Sequence, residues 1–228
     1  MTDWFTLALD GSTYQGSVAL LRGWKVVAER TLKEEDGATP RSGRGEKLMP
    51  AVAECLREAG VKRGEIERIV CGSGPGSFTS LRVAGSVAKG LATGYGIDLY
   101  GVSSLLLTVT AARPALPSGE YLSVLDAMRS EFYSARIVLH HGVANQIEPP
   151  NIISADRLDE LRRADYSLKV IGPGQQIEAH PHARGVAPLL ESIVENGRVD
   201  LPSWEPDYGR LAEAQVRWEA AHGRKLTT

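Results

Sequence analysis

Residues 71–85 read CGSGPGSFTSLRVAG. They follow a short apolar strand, Arg68 to Cys71, and open onto a segment of helical periodicity, so the stretch is a strand–loop–helix junction rich in glycine and hydroxyls. Such a junction can hold an anion. Gly72, Gly74 and Gly76 let backbone amides converge, Ser77 or Thr79 can cap the helix, and the helix dipole favours negative charge there. The same glycines also suit a plain packing turn. No Lys-Ser/Thr pair follows them, and Ser77 stands where a G-x-G-x-x-G pattern needs its last glycine, so neither familiar nucleotide loop fits. Turn chemistry does not require Phe78 and Arg82 beside it. An apolar ring at the loop tip with a guanidinium one turn into the helix suggests a surface that docks something.

Outward from this junction the chain has the grammar of an α/β protein. Trp4–Leu9, Gly16–Leu21 and Trp24–Leu32 read as an antiparallel meander. A polar, glycine-rich loop, KEEDGATPRSGRGE, leads to a helix from Glu46 whose apolar positions include Leu48, Val52 and Leu56, with Gly60 as its stop. The helix after the opening loop runs from Thr79 to about Tyr95 and carries Val83, Val87 and Leu91 on one face. Beside them Ala84, Ala88 and Ala92 form a stripe of small residues, suited to close packing on the protein's own sheet or on another helix. Strand Leu99–Val102 and helix Ser104–Ala112 complete a β-β-β-α-β-α unit. After ARPALPSGE the pattern restarts: strands Tyr121–Leu125, Phe132–Leu139 and Asn145–Glu148, helix Ala155–Arg163, strand Leu168–Ile171, and a helix over Val186–Glu195. The expected lobes are therefore 1–112 and 113–228, divided near 113–119, with a helix at 209–222 that can return to the first lobe.

A formal charge of -2 in 228 residues provides no global field to draw in nucleic acid or an acidic membrane. No run reaches membrane-spanning length, and MTDWFTLALDGST does not read as a leader. Cys55 and Cys71 make no disulfide framework, which points to a reducing cytoplasm.

Two turns could carry chemistry alongside the opening loop. Asp10, Ser12 and Thr13 could hold phosphate or a hydrated metal, or could merely turn a hairpin. Asp126 to Glu131 occupies the matching turn of the second half, where the absence of glycine makes backbone approach to phosphate harder. Gly172-Pro173-Gly174 reads as a strand end. The five histidines show no metal-site spacing, and His180-Pro181-His182 reads as an exposed loop. No residue is named a catalyst and no metal site is expected.

GPGSFTSLRVAGSVAKGLA, residues 74–92, resembles the signature of the bacterial TsaB family, also called YeaZ. The resemblance is carried by Gly74, Pro75, Gly76, Ser77, Phe78, Thr79 and Arg82. LALDGST (7–13), EKLMP (46–50), GVSSL (101–105), DAMRSEFY (126–133) and Pro206-x-Tyr208-x-Arg210 agree in order. Arg44-Gly45 stands where family members have His-Ser, Gly11 where threonine is common, and Ser80 where glycine is common. The resemblance implies a two-lobed actin-like, sugar-kinase-like and Hsp70-like fold. It also implies a non-catalytic subunit that activates the TsaD enzyme, with the TsaE ATPase, in making threonylcarbamoyladenosine at position 37 of tRNAs reading codons that begin with A. It further implies tRNA contact only through the complex, ATP or ADP at the complex interface and none used by this chain for catalysis, and a homodimer when TsaD is absent. Mapped from the family, the helices carrying Leu48, Val52, Leu56, Val83, Ala84, Val87, Ala88, Leu91 and Ala92 meet TsaD. The alternative from the residues alone is a free-standing actin-like-fold ATPase or phosphotransferase using Asp10 and Thr13.

Overall fold

The computed structural model describes residues 4–32 and 44–210, with residues 44–46 by backbone alone. β1 (Phe5–Asp10), β2 (Ser17–Arg22) and β3 (Lys25–Thr31) form the expected meander, followed by α1 (Arg44–Ala59), β4 (Ile66–Gly72), α2 (Phe78–Tyr95) and β5 (Asp98–Val102). The first sheet runs β3-β2-β1-β4-β5, with β1, β4 and β5 parallel. Alternation along β1 sorts its side chains between two cores: Leu7 and Leu9 lie beneath α1 and α2, while Ala8 faces the other way, into a core shared with the second lobe.

The helical periodicity of α1 and α2 is spent on this sheet. Leu48, Val52, Leu56, Ala84, Ala88, Leu91 and Ala92 are all buried within the chain itself. This corrects the expectation that they form a partner interface, and the physical reason is plain. A small-residue stripe lets a helix sit close, and here the close neighbour is the chain's own sheet. Val83 and Val87 are half-buried on the flank.

α3 (Ser104–Thr110) follows, then β6 (Gly119–Asp126), β7 (Glu131–His140), β8 (Val143–Gln146), β9 (Asn151–Ser154), α4 (Ala155–Ala164), β10 (Val170–Gly172), β11 (Ile177–Glu178), a 3-10 segment over Ala183–Leu189 and α5 (Leu190–Glu195). The second sheet runs β11-β10-β6-β7-β8, with β9 also paired to β7. Strand for strand this repeats the first sheet, with β6 in the place of β1 and β10 in the place of β4. The chain is therefore a two-lobed α/β protein of actin-like architecture. One piece is missing from the repeat. Residues 73–97 between β4 and β5 contain α2, whereas only residues 173–176 join β10 to β11.

β9 and β11 were not legible in the sequence, because each is too short to show a period. The expected helix over 186–195 begins as a 3-10 segment containing Pro188, whose missing N–H cannot support an α-helical ladder. Residues 209 and 210 lie in a bend, and the rest of the expected 209–222 helix lies outside the described residues.

Candidate functional site

The turn after β1 and the loop before α2 meet, the Ser77 amide donating to the Ser12 carbonyl at 2.7 Å. Asp10 is wholly buried. Its Oδ1 accepts from the Ser12 amide at 3.1 Å and the Ser12 hydroxyl at 2.8 Å, and its Oδ2 accepts from the Ser104 hydroxyl at 2.7 Å. Ser104 Oγ also accepts from the Gly74 amide at 3.2 Å. Burial pushes the Asp10 carboxyl above its ordinary range, against the lowering effect of the bonds from Ser104 and Ser12. A carboxylate so enclosed organises a loop junction. Ser104 carries no local sequence signal for this role, because its partners Asp10 and Gly74 lie 94 and 30 positions away.

The glycines of the opening loop accept the chain's own backbone. A Cβ on Gly76 would stand 2.1 Å from the Ser12 carbonyl oxygen, and the same carbonyl accepts the Ser77 amide at 2.7 Å. A Cβ on Gly74, whose φ is +91°, would stand 2.2 Å from the Asp207 carbonyl oxygen. Ser77 precedes α2 without a capping bond from its side chain to the backbone, and its hydroxyl donates to Ser80 Oγ at 3.2 Å. Thr13 is half-buried, and its hydroxyl bonds only within its own turn, to Gln15. Thus Asp10, Ser12, Gly74, Gly76 and Ser77 converge, Thr13 stays at the rim, and the space between the two loops is filled by main chain.

The matching turn of the second lobe takes a left-handed path without glycine. Met128, Arg129 and Ser130 have φ of 65°, 57° and 59°. The turn is held by Met128 N donating to Asp126 Oδ1 at 2.7 Å and Ala155 N donating to the Ser130 carbonyl at 2.8 Å. Gly172 ends β10, as expected for that Gly-Pro-Gly.

His180-Pro181-His182 is not the exposed loop that was expected. His182 is buried between the lobes, where Nδ1 accepts from the Arg184 amide at 3.0 Å. Its proton therefore sits on Nε2 and is donated to Thr31 Oγ1, 3.1 Å away. Burial, with Arg184 and Arg113 nearby, pushes the imidazole down to about 3, so it is neutral. Beside it lies a cavity of about 190 Å³ lined by Gln15, Thr31, Arg113, His180 and Arg184 among others. Both guanidiniums are engaged by Glu29. Among the described residues no cluster of three or more His, Cys, Asp or Glu is placed to hold a metal, and no helix is long and apolar enough to cross a membrane.

The family model described as TsaD, tRNA N6-adenosine threonylcarbamoyltransferase, matches residues 25–192. The tRNA threonylcarbamoyladenosine biosynthesis protein TsaB of Bacillus subtilis is 30% identical over 93% of this chain and 96% of its own length. The chain belongs to the TsaB (YeaZ) family. The Escherichia coli TsaB is 33% identical over 87% of this chain and 82% of its own length. The solved structure of YeaZ from Pseudomonas aeruginosa superposes with a TM-score of 0.73 at 25% identity, covering 90% of this chain and 99% of that one. In this family member the signature loop is wedged between Ser12 and Asp207, a packing role for most of its glycines.

Proposed function

We propose that the chain acts in tRNA threonylcarbamoyladenosine biosynthesis as a non-catalytic subunit that docks TsaD, with TsaE joining the pair. It then supports transfer of the threonylcarbamoyl group to adenosine 37 of tRNAs reading codons that begin with A. It works in the cytoplasm and meets tRNA through the complex. ATP or ADP belongs to the complex interface, and in the absence of TsaD the same face makes a homodimer.

The observation that carries the non-catalytic part is the closed junction around Asp10. An acidic residue that served a metal or an attacking group would need a lone pair turned toward substrate, and here both oxygens are held by Ser12 and Ser104. The free-standing phosphotransferase has no comparable support, because the loop amides it would use are given to the protein itself, that of Ser73 to the Val102 carbonyl, that of Gly74 to Ser104 Oγ and that of Ser77 to the Ser12 carbonyl. Family membership supports the pathway.

The docking face is the outer surface of α1 and α2, not the buried stripe. On α2, Ser86 and Gly90 are exposed, Val83 is half-buried, and a Cβ added at Gly90 or Gly94 meets nothing within 4 Å. On α1, Met49 is 43% exposed and Ala53 is exposed. A surface this smooth admits a second helix pair at close range, with apolar burial contributing about 25 cal/mol per Å² before the costs of association. Gly90→Arg tests it. Replacing a helical glycine is expected to leave the subunit as stable or up to about 1 kcal/mol more stable, while co-purification with TsaD is lost. Retention of TsaD by a folded Gly90→Arg chain overturns this face.

A further inference from the structure

Phe78 and Arg82 remain to be explained, and so does Pro206-x-Tyr208-x-Arg210. They touch. After α5 the chain returns to the first lobe, where Val199 N donates to the Leu99 carbonyl at 2.9 Å, and it then runs along the edge of α2. Lys89 Nζ donates to the Trp204 carbonyl at 2.9 Å, Asp207 N donates to the Ser73 carbonyl at 2.7 Å, and the Tyr208 ring lies 4.6 Å from that of Phe78. The Arg82 guanidinium lies over the Phe78 ring, 5.4 Å from its centre.

The track is shaped by missing side chains. A Cβ at Gly74 would strike the Asp207 carbonyl at 2.2 Å, and one at Gly85 would press on Pro206 Cγ at 3.0 Å. Trp204 lies 3.5 Å from the Cβ position of Gly101, though that position is crowded more closely by Ser73 Oγ at 2.6 Å. The far end of the segment belongs to the second lobe. Tyr133 Oη donates to the Tyr208 carbonyl at 3.0 Å, Arg210 pairs with Glu131, and Gly209 lies against the Tyr133 ring, with no room for a Cβ. Glu131 and Tyr133 are on β7, immediately after the left-handed turn.

We propose that loop 73–78 and the Gly85–Lys89 edge of α2 form a groove for an extended peptide. Its occupant is this chain's own Trp204–Arg210 segment, which by its hold on β7 fixes the angle between the lobes. The glycines of the signature at 74 and 85 are then a peptide track. Phe78 is the anchor for the strap, which is the thing its position at the loop tip was suited to dock. The groove lies on a different side of α2 from Gly90, so the inference stands whether or not TsaD binds there.

The test uses the full chain. Spin labels are placed at the exposed sites Ser86→Cys and Arg163→Cys, one in each lobe, the native Cys55 and Cys71 being buried. Three strap variants are compared: Asp207→Pro, which removes the amide bonded to Ser73; Tyr208→Ala, which removes the ring; and Tyr208→Phe, which keeps ring and carbonyl. Asp207→Pro and Tyr208→Ala are expected to broaden the inter-lobe distance distribution and to raise hydrogen exchange at the Gly74 and Ser104 amides at least tenfold. Helical circular dichroism should be unchanged, and Tyr208→Phe should match the wild type. A narrow, unshifted distance and unchanged exchange in both disrupting variants overturn the proposal. So does exchange protection in the wild type that rises with protein concentration alongside a dimer, because the occupant would then be the strap of a second copy.

Discussion

Replacing Asp10 by Asn separates a loop organiser from a catalyst. The amide is isosteric, its oxygen can accept from Ser12 N and Oγ, and its nitrogen can donate to Ser104 Oγ after that hydroxyl turns. Three bonds to a charged acceptor become bonds of a neutral amide, each weaker by about 1 kcal/mol, for a loss of about 3 kcal/mol. Against this, the ion no longer has to be held out of water, which returns several kcal/mol. The two nearly cancel, but the amide's second N–H and the turned Ser104 hydroxyl are left without acceptors, so at neutral pH Asp10→Asn is expected to be destabilised by about 1–3 kcal/mol relative to the wild type. The pH dependence has a definite sign. Burial raises the folded carboxyl above the ordinary value of 3.8, so between that value and the folded one the native state holds more protons than the unfolded chain. The wild type loses this part of its stability as pH rises through that window, and Asn does not. Urea melts from pH 4 upward should show the variant gaining on the wild type. Reconstituted threonylcarbamoyladenosine formation should stay within about threefold of wild type. A variant that melts like the wild type yet abolishes product in the complex would make Asp10 part of the chemistry and refute the reasoning.

Ala88→Arg puts a guanidinium at a wholly buried site in the first-lobe core, and is expected to unfold the chain or cost more than about 4 kcal/mol, seen as loss of a cooperative thermal transition. Gly76→Ala must move the Ser12 carbonyl, and should cost about 1–3 kcal/mol in chemical denaturation; Gly94→Ala, with open space around it, should be neutral or slightly stabilising. His182 has its folded value pushed down to about 3 from an ordinary 6.5. Below pH 6.5 the unfolded chain takes up a proton that the native state refuses, so stability should fall as pH drops, by at most about 1.4 kcal/mol per pH unit. A His182→Gln chain should show a shallower acid limb in melts from pH 7 to pH 4, and identical slopes would count against a buried neutral imidazole.

Much of the fold was legible because it rests on local periods. The short runs of β1 and β2 between turn signals, the apolar spacing of α1 and α2, and a turn at 126–131 matching the one at 10–13 are properties of short windows, and each appears where expected. What failed had a shared cause. Ala84, Ala88 and Ala92 can be recognised as a close-packing stripe, but the neighbour they pack on is chosen by the sheet beneath them. His182 was expected at the surface because a His-Pro-His triplet has no period; its burial follows from Thr31, which lies 151 positions away. Asp10 was legible as part of the turn between β1 and β2. Its confinement by Ser104, 94 positions on, was out of reach.

By itself the sequence determined the two repeated α/β halves, the strand–loop–helix junction at residues 71–85, and the family, because these depend on residue type and spacing within one stretch at a time. Tertiary structure alone decided that the glycines meet Ser12 and Asp207, that the alanine stripe faces inward, and that the C-terminal segment straps the lobes together. Those outcomes follow from contacts between segments remote in the chain, where close packing leaves room for one backbone and no side chain.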